Sequence, residues 1–259
     1  MPYRWKGVCA PRRPGLVCRP HIFFAALAAL AACLSVPAEA RAGKKRRAPA
    51  GGRAAVVVDE RLAAVRDAPD LSAALVRRLG RGRLVAVAGE RRAADGVRFY
   101  RVVLTRRTGG WVQAEALVSA SRAGDDERLL RLVRASAGFK RVERARIFLD
   151  TFARSPHRAA VLLLLAEAAE EAAAKLTREA RRRLDAREME ATGAPRRSFF
   201  LNFSGLDRFR RRGVAFTFDA ATTRYDYDGA AWREILRRHP RSPEAARARA
   251  RLGASAAAP

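Results

Sequence analysis

The hydrophobic pattern of this chain changes period at Gly124, and the change divides it into a part suited to strands and a part suited to helices. Between residues 55 and 118, short β-prone runs alternate with turn residues; beyond Gly124, apolar residues return at helical spacing. Side chains repeat every second residue on a strand and every 3.6 on a helix, so neither part could take the other's conformation without exposing its apolar residues. Residues 119–124 are the expected boundary.

In the first part, Val56-Val57-Val58 opens the module. Leu84-Val85-Ala86-Val87-Ala88 is a strand bounded by Gly82 and Gly89, Phe99-Tyr100-Arg101-Val102-Val103-Leu104 follows the Asp95-Gly96 turn, and Gly110-Trp111-Val112 begins another strand. The span 54–118 has the length of a small closed β-barrel. Ala64-Val65-Arg66-Asp67-Ala68-Pro69-Asp70 resembles the N-V-R-S-G-P-S stretch of bacterial SH3-like domains. Leu79-Gly80-Arg81-Gly82-Arg83-Leu84-Val85-Ala86-Val87 resembles that family's strand entry, Phe99-Tyr100-Arg101-Val102 its W-Y-x-V strand, and Thr108-Gly109-Gly110-Trp111-Val112 its G-W-V signature. The chain departs from the family at Ala68, where glycine is usual, and at Phe99, which replaces tryptophan. The resemblance implies an SH3-like barrel that binds cell-wall peptides or envelope proteins and is not itself an enzyme. Tyr100, Trp111, Phe99 and Arg66 are the candidate ligand-binding residues; the alternative is that Trp111 simply plugs the core.

Helices are expected over residues 125–253. Asp125-Asp126-Glu127 suit a helix N-terminus. Leu129, Leu130 and Val133 form one apolar face, and Val142, Ala145, Phe148, Leu149 and Phe152 form the next. Ser155 and Pro156 are expected to cap and open a long helix reaching Glu190. The same Ser-Pro punctuation returns at Ser242-Pro243, and each copy resembles a junction between tetratricopeptide-like repeats; ordinary helical hairpins are the alternative. Between the copies, Phe199, Phe200, Phe203, Leu206 and Phe209 recur at helical spacing and are expected in the core. Val214 to Phe218 and Thr223 to Tyr227 alternate as a short β-hairpin, and Asp228 is expected to cap the next helix.

Residues 1–40 read as an export signal, with Arg12, Arg13 and Arg19 ahead of an apolar run. Ala38-Glu39-Ala40 offers an ordinary cleavage site. Leu30-Ala31-Ala32-Cys33 resembles a lipobox, which makes Cys33 a lipidation candidate and ends the signal at Ala32; alternatively Cys33 is one small residue of the apolar run. Residues 41–53, with Lys44-Lys45-Arg46-Arg47, read as a basic linker. The three cysteines all precede the folded part, so no internal disulfide is expected there. The net charge of +27 is carried almost wholly by arginine. It fits an anionic polymer or lipid surface as partner, and it equally fits a composition bias of the genome.

The fold class read from the sequence is therefore multidomain: a signal segment, a small all-β SH3-like barrel, then an all-α tetratricopeptide-like region with a hairpin. No phosphate-binding glycine loop, nucleophile elbow or histidine–carboxylate cluster is spelled out, so neither catalysis, metal nor cofactor is expected. Glu167, Glu170, Glu171, Glu179 and Glu188 read as an ion-pair face, and Asp226 and Asp228 miss the spacing of a calcium loop. The expected function is non-enzymatic binding or scaffolding in the bacterial envelope, periplasmic or lipid-anchored, with peptidoglycan or an envelope protein as partner. Export argues against nucleic acid. The alternatives are a basic adaptor for anionic polymers or lipid, and an envelope hydrolase with a concealed carboxylate site.

Overall fold

The computed structural model describes residues 51–105 and 107–256. The export segment, Cys33 and the run Lys44-Lys45-Arg46-Arg47 lie outside the described residues. Seven strands come first: β1 (Arg53–Val57), β2 (Ala64–Arg66), β3 (Leu75–Arg78), β4 (Leu84–Arg92), β5 (Arg98–Val103), β6 (Gly109–Gln113) and β7 (Leu117–Val118). Helices α1 (Asp125–Arg134), α2 (Gly138–Thr151), α3 (Arg158–Arg183), α4 (Ala186–Thr192), α5 (Arg196–Leu201) and α6 (Asp207–Arg210) follow. A hairpin, β8 (Phe216–Asp219) with β9 (Arg224–Tyr227), then precedes α7 (Ala230–Arg238) and α8 (Pro243–Ala256).

The seven strands form one antiparallel sheet in the order β3-β2-β6-β5-β4-β1-β7. The closed barrel expected over residues 54–118 does not form, because β3 and β7 remain edges of an open sheet. Each edge is blunted against further pairing. β7 is two residues long, and Arg128 of α1 donates to the Glu115 carbonyl at 2.9 Å and to the Leu117 carbonyl beside it. β3 is exposed along its length and ends in Arg77-Arg78.

One set of strand residues, including Val57, Val65, Val85, Tyr100, Val102 and Val112, closes a core within the sheet. Val56, Val58 and Val118 instead join the helical core with Leu129, Val133, Phe148 and Leu162. Ionic contacts reinforce this seam. Arg144 on α2 donates to the Val58 carbonyl at 3.2 Å and approaches Asp59 at 3.5 Å, while Glu143 accepts from Arg81 at 2.7 Å and from Arg212 at 2.6 Å.

The helical half departs from expectation at three joints. α3 begins at Arg158, two residues past Pro156, because the Ser155 hydroxyl donates to Asp126 of α1 at 2.7 Å and accepts from the His157 amide at 3.2 Å, holding Pro156 and His157 in a turn. It ends at Arg183, short of Glu190. There the Asp185 carboxylate accepts from the amides of Arg187 at 2.8 Å and Glu188 at 3.2 Å and starts a separate helix, α4. The aromatic segment is also broken. Phe200, Phe203, Leu206 and Phe209 are buried as expected and Phe199 is half-buried, but they are spread over α5, a 3-10 turn with Phe203 just before it, and α6, with no continuous helix. The hairpin docks on them, with Phe218 stacked on Phe200 at 4.7 Å and the Tyr225 hydroxyl donating to the Phe200 carbonyl at 2.5 Å.

Candidate functional site

The pairing of β3, β2, β6, β5 and β4 sets one residue from each strand in a row across the sheet: Leu75, Arg66, Trp111, Arg101 and Gly89. Directly opposed residues of an antiparallel pair project to the same side, so this row is a single surface with the indole at its middle. The approach of β6 to β2 depends on Gly110. A Cβ there would lie 2.5 Å from the Arg66 carbonyl oxygen and 2.6 Å from Val65 Cγ1. With no side chain at Gly110, the two backbones close up and Trp111 falls opposite Arg66.

Three arginines neighbour the partly exposed indole. Arg91, from the far end of β4, lies 5.8 Å from the ring centroid, within the range of a cation–π contact. Arg101 is exposed beside Trp111, and Arg66 is held against the β2–β3 turn by donating to the Ala73 carbonyl at 2.5 Å. Arg61, Arg81 and Arg98 pair with carboxylates, whereas Arg66, Arg91 and Arg101 make no ion pair among the described residues. Asp70 in the same turn is engaged locally: hydrogen bonds from the Ser72 hydroxyl and amide hold its carboxyl below the usual range. Leu75, 51% exposed, extends the row with apolar surface, and Leu71 and Val76 nearby are exposed as well. A partly exposed aromatic face beside arginines that make no ion pair is chemically suited to a sugar or peptide that carries carboxylates.

The four residues singled out from the sequence do not assemble into one groove. Trp111 and Arg66 are register partners on the surface just described. Phe99 is fully enclosed at 0% exposure, so it supports the fold and touches no ligand. Tyr100 points to the opposite side of the sheet, where it packs beside Val112; Arg122 donates to its hydroxyl and lies 5.7 Å from its ring. That phenol is buried, so it is withdrawn from the ligand surface too. Arg91, Arg101 and Leu75 were missed. Alternation along Tyr100-Arg101-Val102 marks Arg101 as facing away from the core, but nothing local reveals that Arg66 meets Trp111 across 44 intervening positions.

Among the described residues no three His, Cys, Asp or Glu side chains gather into a group able to hold a metal ion. Of the glutamates expected to form an ion-pair face, Glu167 meets Arg247 at 3.0 Å, and Glu170 meets Arg251 at 2.7 Å and accepts from the Trp232 indole at 2.9 Å, whereas Glu171, Glu179 and Glu188 make no ion pair among the described residues. No described helix is long and apolar enough to cross a membrane. Comparison with protein-family models, with curated proteins and with solved structures finds no match.

Proposed function

We propose that this chain is a non-catalytic binding protein of the bacterial envelope, and that the Trp111 face of its sheet takes a carboxylate-bearing wall peptide or glycan strand. The observation that carries this reading is the row Leu75-Arg66-Trp111-Arg101, an apolar and aromatic track flanked by arginines that make no ion pair among the described residues. A free guanidinium forms paired, charge-assisted hydrogen bonds to a carboxylate, and an indole stacks on the apolar face of a sugar or on an aliphatic side chain. The motif resemblance to bacterial SH3-like domains and the leader-like first forty residues support the same assignment, as does the use of Glu167 and Glu170 in helix contacts. In this reading the sheet is an SH3-like module that has stayed open, and the tetratricopeptide-like helices hold a protein partner.

Co-sedimentation of the full-length chain with purified peptidoglycan tests it. The wild type is expected to pellet saturably. Trp111→Ala and the double change Arg66→Gln/Arg101→Gln are each expected to weaken binding by about tenfold or more, while unfolding at the wild-type temperature. Undiminished binding by both variants would remove the face from the function. Equal capture by any polyanion, lost uniformly with added salt, would favour a general basic adaptor.

A further inference from the structure

On the helical half, Lys175, Glu179 and Arg183 recur every four residues and so share one face of α3. The segment leading into α6 lies opposite, and the two enclose an open groove of about 400 Å³ that Arg208 and Arg211 also line. Gly205 sets the separation, since a Cβ there would lie 3.0 Å from Leu176 on α3 and 2.5 Å from the Phe203 ring. Four cations thus face two carboxylates. Asp207, which lines the groove, lies 3.9 Å from Arg210, which does not, and none of Lys175, Arg183, Arg208 and Arg211 makes an ion pair among the described residues.

Arg208 is the fixed member. Its guanidinium carbon lies 5.3 Å from the Phe139 ring and 5.0 Å from the Phe209 ring, and its Nε is enclosed without a hydrogen-bond partner. Cation–π contact on two rings holds the charge in place and strips part of its water while leaving it uncompensated. Like charges gathered in this way repel, and a multiply charged anion relieves that repulsion while meeting the planar fork of an arginine with two oxygens.

We infer that this groove binds a phosphate ester, with Arg208 as the preset contact and Lys175, Arg183 and Arg211 closing around it. The same chemistry is offered by a soluble sugar phosphate and by a phospholipid headgroup. Calorimetric titration of the full-length chain with glycerol 3-phosphate, alongside binding to phosphatidylcholine vesicles with and without phosphatidylglycerol, distinguishes the sources. Saturable binding of glycerol 3-phosphate assigns a soluble ligand; binding confined to phosphatidylglycerol vesicles assigns the headgroup. In either case Lys175→Gln and Arg211→Gln, both exposed and so safe for the fold, are expected to weaken binding about three- to tenfold each. Arg237→Gln/Arg241→Gln, which removes twice the charge of either variant elsewhere on the surface, is expected to leave binding unchanged, as is Trp111→Ala. No saturable binding of either probe, or an equal loss in the Arg237/Arg241 control, would overturn the assignment.

Discussion

Arg144 shows how much a single side chain contributes at the seam between sheet and helices. Its guanidinium is buried and bridges the Val58 carbonyl, Asp59 and the Ser136 hydroxyl, which accepts at 2.6 Å. Removing one member of such a buried group leaves the others without partners, so Arg144→Ala is expected to lower stability by about 3–5 kcal/mol in denaturant unfolding. A second residue-scale expectation concerns alkali. Burial pushes the Tyr225 phenol up to about 12, whereas the unfolded chain releases that proton near 10. The stabilising contribution is therefore complete below pH 10 and is lost as pH climbs toward 12. Tyr225→Phe is expected to cost about 1 kcal/mol at neutral pH, through the lost bond to the Phe200 carbonyl, and to flatten the fall in melting temperature above pH 10. On the acid side the sign reverses. The Asp59 carboxyl, held low first by its hydrogen bond from Arg61, stabilises the fold at neutral pH, and that contribution is lost as pH falls below the ordinary carboxylate range.

At the scale of elements, local chemistry decided some boundaries and long-range contacts decided others. The periodicity of Leu129, Leu130 and Val133, the alternation in the hairpin and the Asp95-Gly96 turn could all be read along the chain, because each depends on neighbours a few residues away. Ser155 and Ser242 show where such reading ends. Both precede proline, yet α8 begins at Pro243 while α3 waits until Arg158, since only Ser155 meets an acceptor on another helix, Asp126. The Asp185 break was missed for the opposite reason: its cap is local, but the polar run around it continues helical spacing on both sides. Asp185→Ala is expected to cost about 1 kcal/mol and to reduce helical circular dichroism modestly, by fraying α4. In the sheet, Trp111 and Arg66 were visible as motif residues, while their meeting depends on the bare backbone of Gly110. Gly110→Ala is expected to push β2 from β6 and weaken wall binding as much as loss of the indole does.

Across the whole molecule, sheet and helices share a core, because Val56, Val58 and Val118 pack among helical residues and Glu143 receives arginines from both sides. Thermal unfolding is therefore expected to give coincident transitions for strand and helix signals; two separated transitions would mean that the seam contributes little. A body joined in this way presents its Trp111 row on a fixed support, which favours recognition by a preset surface. The most direct test is the affinity of the full-length chain for a soluble disaccharide–peptide wall fragment, compared with the same fragment after its carboxylates are amidated. The free-carboxylate form should bind more tightly than the amidated one, and Trp111→Ala should lose affinity for both. Equal affinity of wild type and Trp111→Ala for the two fragments would contradict the proposed role of this face.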